Sequence, residues 1–168
     1  MNVSPILAPS SAKKFNVRTF SLVRKTVEPD ALRRQVERPE AGAFLAFEGW
    51  VRNRNDGHPV TGLTYEAYPE LAVTVGEQII AEAEERFDTL VVRAAHAIGE
   101  LNVGELAVWV GVSAAHRDDA FAACRYVIDE LKERLPVWKR EHYVNAPPQF
   151  LPGTPMRVAP AHEEALGD

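Results

Sequence analysis

Four short segments hold residue types suited to anion chemistry, set within a 168-residue chain of formal net charge -5. The first is Gly49-Trp50-Val51-Arg52-Asn53-Arg54, where the forked donors of Arg52 and Arg54 match phosphate or carboxylate. Taken alone it also reads as an ordinary solvated loop. The second is Ser113-Ala114-Ala115-His116-Arg117-Asp118, at a junction between a strand and a long helix. Free backbone N–H groups and the helix dipole favour an anion there. His116 adds a titratable donor and Arg117 a fixed cation, although a satisfied strand end beside an exposed arginine explains the pair equally well. The third is Lys132, on the border of that helix's apolar face. Partial desolvation there turns an amine into a usable acid–base group or nucleophile, while the C-terminal dipole is the plainer reason for a lysine. The fourth is Lys139-Arg140-Glu141 on a terminal strand, where Lys139 alternates with Trp138 and so faces the opposite side.

The elements that must position these groups follow from periodicity and punctuation. Residues 1–14 read as a mobile arm and 15–23 as a strand. Pro29-Asp30 opens a short helix to about Arg38, and the aromatic and aliphatic run 41–51 is a buried strand. A polar loop, 52–59, carries turn chemistry at Asn55-Asp56-Gly57. The alternating run 60–68 is expected to pair with the preceding strand as a long-looped hairpin. A helix over 69–87 places Leu71, Val75, Ile79, Ala83 and Phe87 inward and its glutamates outward.

Strands at 91–98 and 106–113 flank a turn at Asn102-Val103-Gly104. Asp118 or Asp119 is expected to cap a second long helix whose buried face holds Phe121, Cys124, Ile128, Leu131 and Leu135. Pro136 stops it, a last strand covers 137–144, and the tail is too Pro-rich for regular structure. The order β-α-β-β-α-β-β-α-β predicts a single α+β domain over 15–145, with helices packed on a mostly antiparallel sheet and a loose tail at 146–168.

Composition narrows the function classes. The net charge of -5 argues against nucleic acid as a partner. One cysteine, Cys124, excludes an internal disulfide and a cysteine-based zinc site, and no metal site is expected. The first residues lack the charge order and apolar length of a signal peptide, and no run reaches the roughly 18 apolar residues of a membrane span. A soluble cytoplasmic protein is expected.

The order of the segments is more specific than any one of them. Phe-Glu-Gly-Trp-Val-Arg-Asn (47–53), Leu-Thr-Tyr-Glu-Ala-Tyr-Pro (63–69), His-Ala-Ile-Gly-Glu-Leu (96–101), Gly-Val-Ser-Ala-Ala-His-Arg (111–117) and Leu-Lys-Glu-Arg-Leu-Pro-Val-Trp-Lys-Arg-Glu (131–141) follow one another along the chain. From about Phe15 to Tyr143 the sequence closely resembles the large, catalytic subunit family of molybdopterin synthase.

That resemblance implies an α/β hammerhead-type fold and a sulfurtransferase of molybdenum cofactor biosynthesis. The substrate would be cyclic pyranopterin monophosphate and the product a dithiolene. Sulfur would arrive as a thiocarboxylate on the C-terminal Gly-Gly tail of a small ubiquitin-like subunit, so no cofactor of the chain's own is expected. Substrate contacts would come from Trp50, Val51 and Arg52, from His116 and Arg117, and from Lys132 and Lys139, with Arg140 and Glu141 beside them. Lys132 and Lys139 would be the catalytic pair, and Arg157 is a further candidate from the tail. Large subunits of the family are homodimers with a small subunit at each end, a heterotetramer. Two other classes fit parts of the pattern: a non-catalytic phosphate-binding α+β sensor domain, and a scaffold that only docks a ubiquitin-like partner.

Overall fold

The computed structural model describes residues 19–144 and 147–151. The arm 1–14, the first residues of the strand expected at 15–23, and the tail beyond 151 with Arg157 lie outside the described residues.

Strands β1 (Phe20–Arg24), β2 (Ala43–Trp50), β3 (Arg54–Asn55), β4 (His58–Ala67), β5 (Thr89–Asn102), β6 (Leu106–Ala114), β7 (Val137–Tyr143) and β8 (Gln149–Leu151) form one sheet. Its order is β2-β6-β5-β4-β7-β8, with β1 beside β5 and β3 beside β4. Only β1 and β5 run parallel among the described pairs, which makes the fold the expected α+β domain. Three helices pack on this sheet: α1 (Pro29–Val36), α2 (Pro69–Arg86) and α3 (Arg117–Arg134). Proline opens α1 and α2, where its missing N–H costs nothing, and Pro136 follows the end of α3 at Leu135.

The sheet is buried on both faces around β6, whose nine residues are all buried. That explains its continuous apolar run in place of an alternating one. On one face Phe20, Ile79, Ile80, Val92, Val110, Val112, Val127 and Leu131 pack beneath α2 and α3. On the other, Val27, Val36, Leu101 and Trp109 pack beneath α1. Two glycines are fixed by aromatic neighbours. A Cβ on Gly76 would lie 2.2 Å from the Phe20 ring, and one on Gly111 would lie 2.0 Å from the Trp109 ring.

Several expectations need correction. The strand at 43–50 does not form a hairpin with the one at 58–67. β2 pairs with β6, and β4 pairs with β5 and β7, because the two-residue strand β3 makes the local hairpin with β4. The inward face of α2 is Ala72, Gly76, Ile79, Ile80 and Ala83, one position round from the expected stripe, which leaves Leu71 47% exposed. Close approach of Phe20 to Gly76 sets that rotation. Nor do all the α2 glutamates face water, since Glu82 pairs with Arg134 of α3 at 2.6 Å.

On α3, Phe121 is 60% exposed, while Cys124, Ile128, Leu131 and Leu135 are buried as expected. The cap of α3 is His116, without a side-chain capping bond; Asp118 and Asp119 fall inside the first turn. There Asp119 Oδ1 accepts the Asp88 backbone N–H at 3.3 Å. Finally, the Pro-rich tail does contain regular structure, for β8 pairs with Lys139–Glu141 of β7. Among the described residues of the tail, Pro147 and Pro148 precede the strand and remove no ladder hydrogen bond from it.

Candidate functional site

Alternation along β7 puts Lys139, Glu141 and Tyr143 on one face and Trp138, Arg140 and His142 on the other. On the first face, Lys139 Nζ meets Glu141 Oε1 at 2.9 Å, and Tyr143 donates its hydroxyl hydrogen to Glu141 Oε2 at 2.9 Å. Glu141 is buried, so both of its oxygens are satisfied by protein donors. It is thus an anchor for the lysine. Hydrogen bonding to Glu141, and then burial, hold the Tyr143 phenol above its ordinary pKa.

Arg52 approaches the same face from the other side of the fold. Val51 is buried, and its N–H donates to Glu105 O at 2.9 Å while its carbonyl accepts the Gly104 N–H at 2.8 Å. These bonds clamp the end of β2 to the turn after β5, so Arg52 projects from a fixed point. Arg52 Nη2 then donates to Asn55 Oδ1 at 3.2 Å. Asn55 sits beside the tight turn of the β3–β4 hairpin, where Asp56 and Gly57 take φ of 45° and 83°. Asp-Gly suits such a turn, because both central residues need positive φ. The Asn55 side chain also stands against the Tyr143 phenol and favours negative charge on its oxygen. Arg52, Asn55, Tyr143, Glu141 and Lys139 therefore form one polar succession.

The rest of the predicted set is distributed differently. Trp50 ends β2 and is 55% exposed. Arg140 points to the opposite face from Lys139, lying 3.9 Å from Glu66 and over the ring of Phe150. Lys132, in the last turn of α3, is exposed, with its ammonium 5.8 Å from the Phe47 ring centroid. His116 and Arg117 are exposed at the opposite end of that helix, where Arg117 makes only a loose 3.8 Å contact with Asp118. Fifteen residues of helix separate Arg117 from Lys132, about 22 Å at 1.5 Å per residue. One copy of the chain thus joins Arg52 with Lys139 and keeps His116-Arg117 away from Lys132.

Sequence reasoning missed Asn55, Tyr65, His96 and Tyr143. Tyr65 lies opposite Lys139 in the β4–β7 ladder and edge-on to His96, with ring centroids 4.7 Å apart. Burial, then the nearby Glu141 charge, push the Tyr65 phenol up to about 12. Burial also brings His96 down to about 4, and its Nδ1–H donates to Ala97 O at 2.7 Å. Both rings are neutral near pH 7, giving an apolar wall beside the cations. Tyr65 and His96 fall in quoted motif segments, but only strand register shows that they touch. Cys124 is buried, and desolvation raises its thiol to about 11.

Among the described residues no cluster of His, Cys, Asp or Glu is arranged to hold a metal, and no helix is long and apolar enough to cross a membrane.

Comparison with known proteins agrees with this architecture. The family model described as MoaE protein matches residues 22–134. A molybdopterin synthase catalytic subunit from Thermoplasma volcanium is 46% identical over 120 residues, covering 71% of this chain and 88% of the relative. The crystal structure of molybdopterin synthase from Staphylococcus aureus superposes with a TM-score of 0.76 at 30% identity, covering 82% of this chain and 99% of that one. A chain from the complex of subunits 1 and 2 of molybdopterin-converting factor from Helicobacter pylori shares the fold, with a TM-score of 0.70 at 20% identity over 84% of this chain and 97% of that one. The Thermoplasma volcanium relative is a catalytic subunit, and these comparisons lend no support to a sensor domain. The chain belongs to the MoaE family, that of the molybdopterin synthase catalytic subunits.

Proposed function

We propose that this enzyme converts cyclic pyranopterin monophosphate to molybdopterin, using sulfur carried as a thiocarboxylate on the C-terminal Gly-Gly tail of a small ubiquitin-like subunit. The observation that carries the reading is the pairing of Arg52 and Lys139 through one polar succession, within a member of this family. The substrate phosphate and the thiocarboxylate tail are both anionic, and fixed cations are what such groups require.

In this reading Arg52 and Lys139 bind the phosphorylated pterin, and Lys139 contributes a fixed ammonium because Glu141 holds it. Lys132 is exposed in the last turn of α3, with its ammonium beside the Phe47 ring; there it meets the incoming tail and stabilises negative charge or moves a proton at the reacting carbonyl. Trp50 and Val51 shape and hold the Arg52 side of the pocket. Arg140 faces the opposite side of the sheet, beside Glu66 and Phe150, and Glu141 acts through Lys139. Sulfur comes from the partner, which leaves no role for a resident cofactor. The Helicobacter pylori chain that shares this fold was solved in a complex of subunits 1 and 2, which is in keeping with a partner subunit here, and a cytoplasmic setting fits the reading.

His116 and Arg117 join the site only from a second copy of the chain. The length of α3 supports that reading, as does the exposure of both residues. His116 would donate a ring N–H to the bound anion, and Arg117 would clamp phosphate. The test is to mix Arg117→Ala and Lys132→Ala proteins after separate purification, with thiocarboxylated small subunit and precursor. Random reassortment into a two-fold dimer makes one intact site in about half the dimers, restoring roughly a quarter of wild-type dithiolene formation. No recovery, with mixed dimers demonstrated, would place both residues in one copy and defeat the composite site.

A further inference from the structure

We propose that Tyr143, together with Asn55, is a positioning device that sets Arg52 and Lys139 at one spacing for their common anionic substrate. The inference rests on the reading of Arg52 and Lys139 as substrate cations, and extends it to two residues that touch neither reactant.

The geometry begins at Glu141. Its two oxygens are shared between Lys139 Nζ and the Tyr143 hydroxyl, each at 2.9 Å. A buried carboxylate held from both sides has one orientation, and that orientation fixes the ammonium. The second half begins at Arg52, whose guanidinium is exposed and would otherwise sample many rotamers. Asn55 Oδ1 accepts from it at 3.2 Å. Asn55 is itself held by the β3–β4 turn, and its side chain lies against the Tyr143 phenol.

Tyr143 is where the two halves meet. Its ring stands edge-on to His58, across the turn from Asn55, with centroids 6.2 Å apart. Its backbone lies opposite Val60 in the β4–β7 ladder. The hairpin tip and the end of β7 therefore meet at the Tyr143 side chain, alongside the backbone ladder that joins β4 to β7. Tyr143→Phe removes only the hydroxyl and retains the ring against His58.

The experiment uses full-length Tyr143→Phe and Asn55→Ala proteins with two readouts. The first is the side-chain Nε–Hε NMR signal of Arg52, which reports its mobility without any reaction. The second is calorimetric affinity for the phosphorylated precursor, in wild-type and Arg52→Ala backgrounds. We expect both substitutions to broaden or speed exchange of the Arg52 signal and to weaken precursor binding about three- to tenfold. In the Arg52→Ala background the further loss should shrink to less than twofold, because the positioned group is already gone. An unmoved Arg52 signal in both variants overturns the device. So does full additivity with Arg52→Ala. If Arg52 becomes mobile and affinity is unchanged, Arg52 is not a substrate cation, and the reading beneath the proposal fails instead.

Discussion

Lys139 and Glu141 face each other two residues apart on one side of β7, ammonium to carboxylate at 2.9 Å, with the carboxylate buried. This relationship makes Glu141 an anchor whose loss acts through Lys139. Glu141→Gln should cost about 1–3 kcal/mol of stability, because Lys139 is partly exposed and can turn to water. Its kcat/KM should fall about tenfold, less than the roughly 10²–10⁴-fold cost of losing an acid–base group outright, because Lys139 stays but is no longer held. Thermal melts and the dithiolene assay on the same preparation measure both. Wild-type turnover in a folded variant would dismiss the anchor.

Lys132→Ala should lower sulfur transfer by about 10²–10⁴-fold and leave the melting temperature nearly unchanged. Its side chain is exposed and contributes to no core. Activity within a few-fold of wild type would remove it from the mechanism. Lys132→Arg keeps the charge and separates electrostatic need from proton transfer.

Arg52→Ala and Arg117→Ala should weaken precursor binding by roughly 1.5–3 kcal/mol each, the worth of a charge-assisted contact. Titration of the precursor against each variant gives the answer. Affinity that holds while turnover drops would contradict the phosphate clamp.

Cys124→Ala should keep near-normal turnover with about 1 kcal/mol of stability lost. The thiol is buried and raised to about 11, the reverse of what a sulfur-carrying thiolate needs. Detection of a persulfide on Cys124 during turnover would defeat the partner-borne sulfur route.

Acid should destabilise the fold in two stages. His96 drops from 6.5 unfolded to about 4 folded, chiefly through burial. Its neutral form is preferred by the native state, so its contribution is complete above pH 6.5 and is lost as pH falls toward 4. Glu82 is lowered from 4.5 to about 2, mainly by the Arg134 hydrogen bonds and then by that of Tyr126. Its contribution is complete above pH 4.5 and is lost as pH falls toward 2. Denaturant midpoints from pH 7 to 3 should fall in wild type, and His96→Gln should flatten the upper stage only. An unchanged upper stage in that variant would show that another group titrates there.

The segments that were legible in the sequence are those whose signal is local. The two long helices read as such from their spacing, the second with its start placed two or three residues late, and Pro136 marked a true stop. Asn55-Asp56-Gly57 marked a true turn. Strand partners were not legible, because β2 and β4 are adjacent in sequence and each is apolar enough to accept several neighbours. The rotation of α2 depended on Phe20 meeting Gly76, a contact between distant segments. At the site, residue types pointed to the cations, but Tyr143 and Asn55 carry ordinary side chains whose role exists only through register. Glu141 was found with the right neighbours, and burial revealed it as their support.

The span of α3 acts as a calliper. Arg117 and Lys132 stand on the same rigid rod, so the gap between the two cationic ends is dictated by residue count and does not adjust to the ligand. Inserting four alanines near Ala122 would lengthen the rod by about 6 Å while turning its far end by little more than one full turn. The apolar stripe would stay nearly in phase, but the reach between a site on one copy and the clamp on its neighbour would be wrong. If the pocket is shared between two copies, as proposed, helix length gauges it, and two subunits of unequal gauge could fold soundly and still fail to close a working site between them.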